Sequence, residues 1–382
     1  MRGKVSSQPP MFFAIDLNDR IAADHPLRQI KARVEAGLKE MDRLFDQAYK
    51  QNGRPSVPPD VILKALLLQA IYSIRSERQL VERIDTDLLF RWFLGMDPAQ
   101  PMFHATVFTH NRQRLESHGL ISSFFNTIVQ QAIDDGLCSD DHFAVDGTLI
   151  EAHASIKSVK PIEKHDDMND PNDPTSGGLS GGRNEAVDFH GQRRTNQTHR
   201  STTDPEARLY RKGNGKPAQL CHMGHAITEN RNGLVMAVAT TQATGTAERE
   251  AAIAMLDAMY ATRGTVPATL AADAGYDAGS FYTDLVGRVI RPQIAVRKGA
   301  IKAEGEDADR RRSMRQRMRS KGYAISQRKR KLVEEVFAWL KTVGGLSKSR
   351  WVGQWKLGQI FTLRAAAYNL VRLRKLSPLA LN

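Results

Sequence analysis

The chain has 382 residues, 41% of them hydrophobic and 25% charged, so it can bury about two or three cores. Fifty-five Lys and Arg against forty-two Asp and Glu give a formal net charge of +13, which favours a polyanionic partner. Two cysteines exclude a disulfide framework, and neither a signal peptide nor a membrane-spanning stretch is evident, so we expect a cytoplasmic protein.

Residues 1–138 are expected to form an all-α domain. Apolar residues recur at intervals of three and four between Pro58 and Leu94, which is typical of amphipathic helices. Helix starts are expected at Pro58 and Ser76, and a second helical pair within 105–135. Such pairs fit a helix-turn-helix that reads DNA. A helical docking or dimerisation domain fits them equally well.

The pattern changes after this helical region. The run HFAVDGTLI predicts a strand, and LCHMGHAITENRNGLVMAVATTQA predicts two strands joined by a hairpin at Asn232-Gly233. A helix is expected over 247–262, followed by the strands ATLAAD and VIRPQIAV with a further helix between them. This order predicts an α/β domain over 139–345, with a mixed sheet flanked by helices.

Residues 155–217 interrupt this order and are predicted to form an exposed insertion. They are rich in Asp, Asn, Gly, Ser and Arg and poor in large apolar side chains. The histidines of this segment lack the compact spacing of zinc ligands; they are His165, His190 and His199. The later motif CHMGH also favours a packed strand over a metal site, because alternation separates its side chains.

A strongly basic stretch precedes the C-terminal part of the chain. Arg297–Lys331 contains fourteen Lys or Arg and four acids, a pattern that is usually solvated but here leads into a helix and is suited to phosphates. Residues 346–382 are expected to form a helical extension. Trp351 and Trp355 fit either base stacking or packing of this last helix in the core, and their spacing favours the core.

Two aspartates follow predicted strands. Asp146 comes directly after Phe-Ala-Val, at the expected exit of a buried strand, although Asp-Gly is also a common turn pair. Asp273 comes after Leu-Ala-Ala and is an alternative cap for the next helix, a role that we assign to Asp277. Open α/β sheets bind ligands at the carboxyl ends of their strands, so two acids there predict a site.

A third acid lies in the helical run RKLVEEVFAWLK. Arg330, Glu334 and Lys341 share one side of this helix, although an ordinary Arg330–Glu334 ion pair explains the same spacing. The spacing does not choose between Glu334 and Glu335. Three carboxylates suit a hard divalent cation, and two such ions about 4 Å apart catalyse phosphoryl transfer. The pattern therefore predicts a metal-dependent enzyme that acts on DNA.

Six segments together resemble the DDE transposases of bacterial insertion sequences that carry an InsH-type helical N-terminal domain. The segments are ADHPLR, GRPSVPPDVILKALLLQ, SERQLVERIDTDLLFRWFLG, FAVDGTLIEA, AADAGYDA and RKLVEEVFAWLKTVGGL. The resemblance covers most of the chain and implies a ribonuclease-H-like catalytic domain behind a domain for DNA-end binding or assembly. The family signature Tyr-x2-Arg-x3-Glu-x6-Lys selects Glu334, while Gln327 stands at the tyrosine position, so no tyrosine role is assigned.

The resemblance implies that Asp146, Asp273 and Glu334 are the catalytic residues and the ligands of Mg²⁺ or Mn²⁺, with two ions per site. It implies that Arg330 and Lys341 bind DNA phosphates. The expected reaction cleaves the terminal inverted repeats of an element and joins them to target DNA, in a homodimer or larger synaptic complex. The alternatives are a nuclease of the same fold without strand transfer and a catalytically inactive DNA-binding regulator.

Overall fold

The computed structural model describes residues 16–49, 56–162, 188–189, 192–193, 195–211, 217–295 and 306–376. Two compact units occur, one with the residues up to Leu120 and from Leu373 onward, the other with Ile121–Arg372. Part of the predicted insertion at 155–217 lies outside the described residues. His165 and His190 are in that part. The domain boundaries at 138 and 345 stay predictions, because a compact unit is not necessarily a separately folding piece.

The first unit is helical, as predicted. Its helices are α1 (Leu17–Arg20), α2 (Pro26–Glu40), α3 (Asp42–Ala48), α4 (Pro59–Ile71), α5 (Glu77–Thr86), α6 (Leu88–Leu94) and α7 (Thr106–Ser117). Helix α4 has proline at its first position, where no intrahelical N–H is lost. Ser76 caps α5, since its hydroxyl accepts the Gln79 N–H at 3.2 Å. Both predicted helix starts are therefore confirmed.

The second unit combines a sheet with helices. Its elements are α8 (Leu120–Asp134), β1 (His142–Glu151), β2 (Val159–Pro161), β3 (Asp188–Phe189), β4 (Gln192–Arg193), β5 (His199–Ser201), β6 (Arg208–Tyr210), β7 (Gln219–Glu229), β8 (Val235–Gln242), α9 (Ala247–Arg263), β9 (Thr269–Ala272), α10 (Gly279–Gly287), β10 (Arg291–Ile294), α11 (Glu306–Met318), α12 (Lys321–Lys329), α13 (Leu332–Thr342) and α14 (Gln354–Leu376). No helix in the described ranges is long and apolar enough to cross a membrane.

The main sheet has six strands in a mixed arrangement. Strand β1 pairs antiparallel with β7 and parallel with β9, and β9 pairs parallel with β10. Strand β8 pairs antiparallel with β7 through the predicted hairpin, where Gly233 has a φ of 69° that favours glycine. The order β8-β7-β1-β9-β10, with β6 added beside β7, confirms the predicted α/β domain of ribonuclease-H-like arrangement.

The last helix, α14, packs closely on the sheet. The Phe361 ring lies so near Gly224 that a Cβ there would be 2.7 Å from a ring carbon. The Asn369 side chain accepts the N–H of Val235 at 2.9 Å and donates to its carbonyl at 2.8 Å. Trp355 is 51% exposed, so its predicted place in the core is wrong. Helix α14 contacts the sheet through Phe361 and Asn369, farther along its length.

Candidate active site

Two acids stand side by side at the centre of the sheet. In the parallel pairing of β1 with β9, Ala144 lies opposite Ala271, and Asp146 and Asp273 each follow two residues later. Strand β1 continues to Glu151, so Asp146 lies within the strand and not at its exit as predicted, and no Asp-Gly turn forms. The pairing with β9 ends before Asp146, so both aspartates lie where β9 ends. This end of the sheet, with Asp146 and Asp273, is called the acidic edge.

The turn after Asp273 differs from the predicted one. Oδ1 of Asp273 accepts the Gly275 N–H at 2.8 Å and caps a short 3-10 turn, Ala274–Tyr276. The prediction that Asp277 caps the next helix is wrong, because this turn places Asp277 at its own C-terminal end and α10 begins only at Gly279. The cap fixes the direction of the Asp273 carboxylate.

Arg330 connects the strand acid to the helix acid. It lies between α12 and α13, with Nη1 3.7 Å from Oδ2 of Asp146 and Nη2 3.8 Å from Oε1 of Glu334. The Arg330 side chain is 17% exposed, whereas the Glu334 side chain, in the first turn of α13, is 58% exposed. The guanidinium therefore balances charge on two acids that come from different layers of the unit.

The two adjacent glutamates of α13 have different partners. Oε2 of Glu335 lies 3.6 Å from Nη1 of Arg372 on α14, whereas Glu334 faces Arg330. Lys341 lies seven residues beyond Glu334, about 10 Å along the helix. There it lines a cleft together with Glu151, Tyr210 and Ser347. Lys341 thus lies near Glu151, the last residue of β1.

Gln327 occupies the position where the signature has a tyrosine. Its side-chain amide donates to the carbonyl oxygens of Ala272 and Gln293, near the ends of β9 and β10. Ala272 directly precedes Asp273. Gln327 thus fastens α12 to β9 and β10 beside the acidic edge, which is a structural role.

A fourth acid, Glu248, lies at this edge and is not among the predicted site residues. It is in the first turn of α9. A Cβ on Gly147 would lie 2.7 Å from Oε1 of Glu248, and a Cβ on Gly275 would lie 3.5 Å from Oε2. The carboxylate therefore sits between the glycine that follows Asp146 and the turn of Asp273. Acids are common in the first turn of any helix, so the sequence pattern does not mark this residue.

A buried tyrosine lies among these acids. The Tyr276 side chain is 0% exposed, and its hydroxyl has no hydrogen-bond partner among the residues described. Burial raises the pKa of Tyr276 well above its ordinary value, and the negative charges of Glu248, Asp146 and Asp273 raise it further. The hydroxyl is thus neutral and available as a hydrogen-bonding group.

The donor chemistry of this edge fits a hard divalent cation, because its charged oxygens are carboxylates. In the described part of the chain, no three His, Cys, Asp or Glu side chains are close enough together to hold one ion directly. Mg²⁺ keeps several water molecules and uses only one or two protein carboxylates in many sites. Asp146 and Asp273 are suitably placed to be such a pair.

The CHMGH motif is structural. Nε2 of His222 lies 2.9 Å from Oδ2 of Asp204, and Nε2 of His225 lies 2.7 Å from Oγ1 of Thr241. Both histidines are fully buried, and burial lowers the pKa of His225 to about 4. The predicted packed strand with polar partners is confirmed.

The mixed sheet, with helices beside it, has a ribonuclease-H-like arrangement. Residues 15–114 match the model of a Transposase domain (DUF772), and residues 138–370 match that of a Transposase DDE domain. The second match covers more than half of the chain, and the protein belongs to the DDE transposase family. It is a DNA transposase, and dependence on a divalent metal comes with the family.

Three similar solved structures contain the Mos1 transposase. A pre-cleavage Mos1 transpososome is 13% identical over 94% of this chain and 89% of that chain, with a TM-score of 0.21. A Mos1 paired-end complex with the left transposon end is 10% identical over 81% and 85%, with a TM-score of 0.20. A Mos1 mariner paired-end complex with Mn is 13% identical over 87% and 91%, with a TM-score of 0.20. No curated protein matches the chain.

Proposed function

We propose that Asp146, Asp273 and Glu334 hold two divalent ions, Mg²⁺ or Mn²⁺, for cleavage and strand transfer of DNA. The observation that carries this proposal is that Asp146 and Asp273 each lie two residues beyond the paired Ala144 and Ala271 of neighbouring parallel strands. Glu334 joins them through Arg330, which contacts both Asp146 and Glu334. When bound, the ions activate the attacking oxygen and stabilise the leaving one.

The first step frees the end of the element. A water oxygen attacks the phosphorus at the end, the bond from phosphorus to the 3′ oxygen breaks, and that oxygen leaves with a proton as a 3′-hydroxyl. In the second step this hydroxyl attacks a phosphodiester of the target DNA. A new phosphorus–oxygen bond forms as the bond from phosphorus to the 3′ oxygen of the target breaks. The attacking hydroxyl loses its proton, and the target 3′ oxygen leaves with a proton as a 3′-hydroxyl. Neither step needs a serine or tyrosine nucleophile.

Two cations contribute to phosphate binding in this proposal. Arg330 stands beside Asp146 and offers a planar, permanently charged donor for the scissile phosphate. Lys341, about 10 Å along α13 from Glu334, would contact a phosphate farther along the same strand. The basic helices α11 and α12, which precede Arg330, extend this positive surface along the DNA backbone.

The helical first unit would bind the terminal inverted repeats of the element or assemble the complex. Two element ends must come together for transposition, so we propose that a homodimer or larger synaptic complex is the active form. Its helix pairs support both roles, because α4, α5 and α6 are joined by short turns.

A strand-transfer assay tests the proposed reaction. The full chain is incubated with Mn²⁺, an oligonucleotide that carries a pre-cleaved element end, and a supercoiled target plasmid. Covalent joining of the end to the plasmid is expected. Hydrolysis of DNA without joined product would instead indicate a nuclease of the same fold. The absence of both products, with a gel shift of the same oligonucleotide retained, would indicate an inactive DNA-binding regulator.

A further inference from the structure

We infer that Glu248 is a fourth carboxylate of the metal site and shares a divalent ion with Asp146 and Asp273. This inference rests on the proposed function of the two aspartates. It adds a ligand that lies outside the Asp-Asp-Glu set and comes from a different element, the start of α9.

The position of Glu248 is defined from two sides. Its Oε1 lies against the backbone of Gly147, the residue after Asp146, so closely that a Cβ there would be 2.7 Å away. On the other side, a Cβ on Gly275 would be 3.5 Å from Oε2 of Glu248 and 2.9 Å from Oδ1 of Asp273. The carboxylates of Glu248 and Asp273 thus approach a common point, and that of Glu248 also reaches the strand of Asp146.

The neighbouring residue, Arg249, fixes the start of α9 in this place. Its Nη1 donates to the carbonyl of Gly275 at 3.2 Å, and its Nη2 donates to the carbonyl of Gly245 at 3.3 Å. Because Arg249 ties the first turn of the helix to the Asp273 turn, the carboxylate of Glu248 is presented to the acidic edge by a rigid element. Ligands on rigid elements are placed more precisely than ligands on loops.

Tyr276 independently indicates a ligand in the space between these acids. Its hydroxyl is fully buried and has no partner among the described side chains and backbone groups. The negative charges of Glu248, Asp146 and Asp273 act on it, and the positive charge of Arg249 opposes them. A buried hydroxyl without a hydrogen bond is destabilising, so a polar partner is expected there. A hydrated cation supplies both water for the hydroxyl and positive charge for the acids.

Water molecules between the ion and some of the carboxylates account for the spacing of the acids. No three of them in the described ranges can hold one ion directly. A Mg²⁺ ion that keeps part of its water shell is held by carboxylates at longer range as well as by direct ligands. Glu248 takes part in this set whichever of the three carboxylates contacts the ion itself.

The test is Mn²⁺ binding to the full-length, metal-free protein, measured by isothermal titration calorimetry and by electron paramagnetic resonance. Glu248→Gln is expected to weaken binding by about tenfold or more. Glu250→Gln is the matched control, because Glu250 is an exposed acid of the same helical turn. It is expected to keep the wild-type affinity, and Glu248→Asp, which retains the charge, is expected to regain part of it.

Gly147→Ala provides a second route to the same result. Its methyl group would displace Oε1 of Glu248 and is expected to weaken Mn²⁺ binding while Glu248 itself is retained. The melting temperature in EDTA controls for folding. Glu248→Gln is expected to leave it unchanged or raise it, since the substitution removes one of several like charges.

Asp146→Asn separates the two proposals. Equal Mn²⁺ affinity of Glu248→Gln and Glu250→Gln would overturn the role of Glu248, and if Asp146→Asn had lost binding in the same experiment, the proposed function would stand. Wild-type affinity in Asp146→Asn would overturn the proposed function as well. A lowered melting temperature of Glu248→Gln in EDTA, with unchanged Mn²⁺ affinity in Gly147→Ala, would assign Glu248 to the fold instead.

Discussion

The guanidinium of Arg330 lies 3.7 Å from the carboxylate of Asp146, although one residue precedes a late helix and the other lies on the central strand. The same guanidinium reaches Glu334. Arg330 thereby links α13 to β1 at the acidic edge. In the proposed reaction, Arg330 both balances the charge of the acids and binds the scissile phosphate.

Arg330→Gln is expected to slow cleavage of a plasmid with terminal repeats by about a hundredfold or more, since one preorganised cationic donor is lost from the reacting phosphate. Arg330→Lys should recover only part of the rate, because lysine keeps the charge and loses the planar fork. Arg350→Gln is the control, as Arg350 is exposed. A wild-type rate in Arg330→Gln would remove Arg330 from the reaction.

Glu334 and Glu335 form a matched pair for mutagenesis. Glu334→Gln is expected to reduce the cleavage rate by about a hundredfold or more, because a proposed metal ligand is lost. Glu335→Gln should keep the wild-type rate and lose only an ion pair with Arg372, worth about 0–1 kcal/mol. Gel assays of cleaved plasmid measure both rates. Equal losses in the two variants would contradict the choice of Glu334.

The buried pair of Asp204 and His222 is expected to stabilise the fold. Asp204→Ala leaves a buried histidine without its partner and should lower the free energy of unfolding in urea by about 3 kcal/mol. Asp257→Ala removes the exposed partner of Arg288 and should cost about 1 kcal/mol or less. Similar decreases in the free energy of unfolding in the two variants would show that burial does not make the Asp204–His222 pair more stabilising than the exposed pair.

His225 makes stability depend on pH. Its folded pKa of about 4 lies below the ordinary value of about 6.5. As pH falls through this window the unfolded chain gains a proton that the folded protein does not, so stability is complete above pH 6.5 and falls by up to about 3 kcal/mol near pH 4.

The difference between the wild type and His225→Gln isolates this effect in urea titrations at several pH values. The comparison is needed because burial raises the pKa of Glu229, which changes stability in the opposite direction. His225→Gln should show the weaker loss of stability on acidification. Identical pH profiles would contradict the buried, neutral state of His225.

The strands and their order follow from local patterns. Apolar runs predict β1 and β9, and the Asn232-Gly233 pair predicts the hairpin. The rule for strand ends predicts the place of Asp273 at the end of β9, whereas Asp146 lies within β1. These features depend on neighbours in sequence or on general sheet geometry. The amino-acid sequence alone is therefore enough to predict them.

Other parts of the site depend on contacts between distant segments. Glu248 has the pattern of an ordinary acid at a helix start until the fold sets it against Gly147. The sequence favours Asp277 over Asp273 as the cap, because the 3-10 turn between them leaves no pattern in the sequence. The choice between Glu334 and Glu335 requires a family signature, since helical spacing treats neighbours alike.

The packing of α14 on the sheet has a genetic consequence. Every acid of the site is encoded before Gly345, but Phe361 and Asn369, which cover Gly224 and complete the backbone bonds of Val235, come later. A premature stop codon between these two regions would yield a chain with all its acids and an uncovered apolar sheet. Such an allele is expected to be null through misfolding and aggregation, although the codons of all four acids are intact.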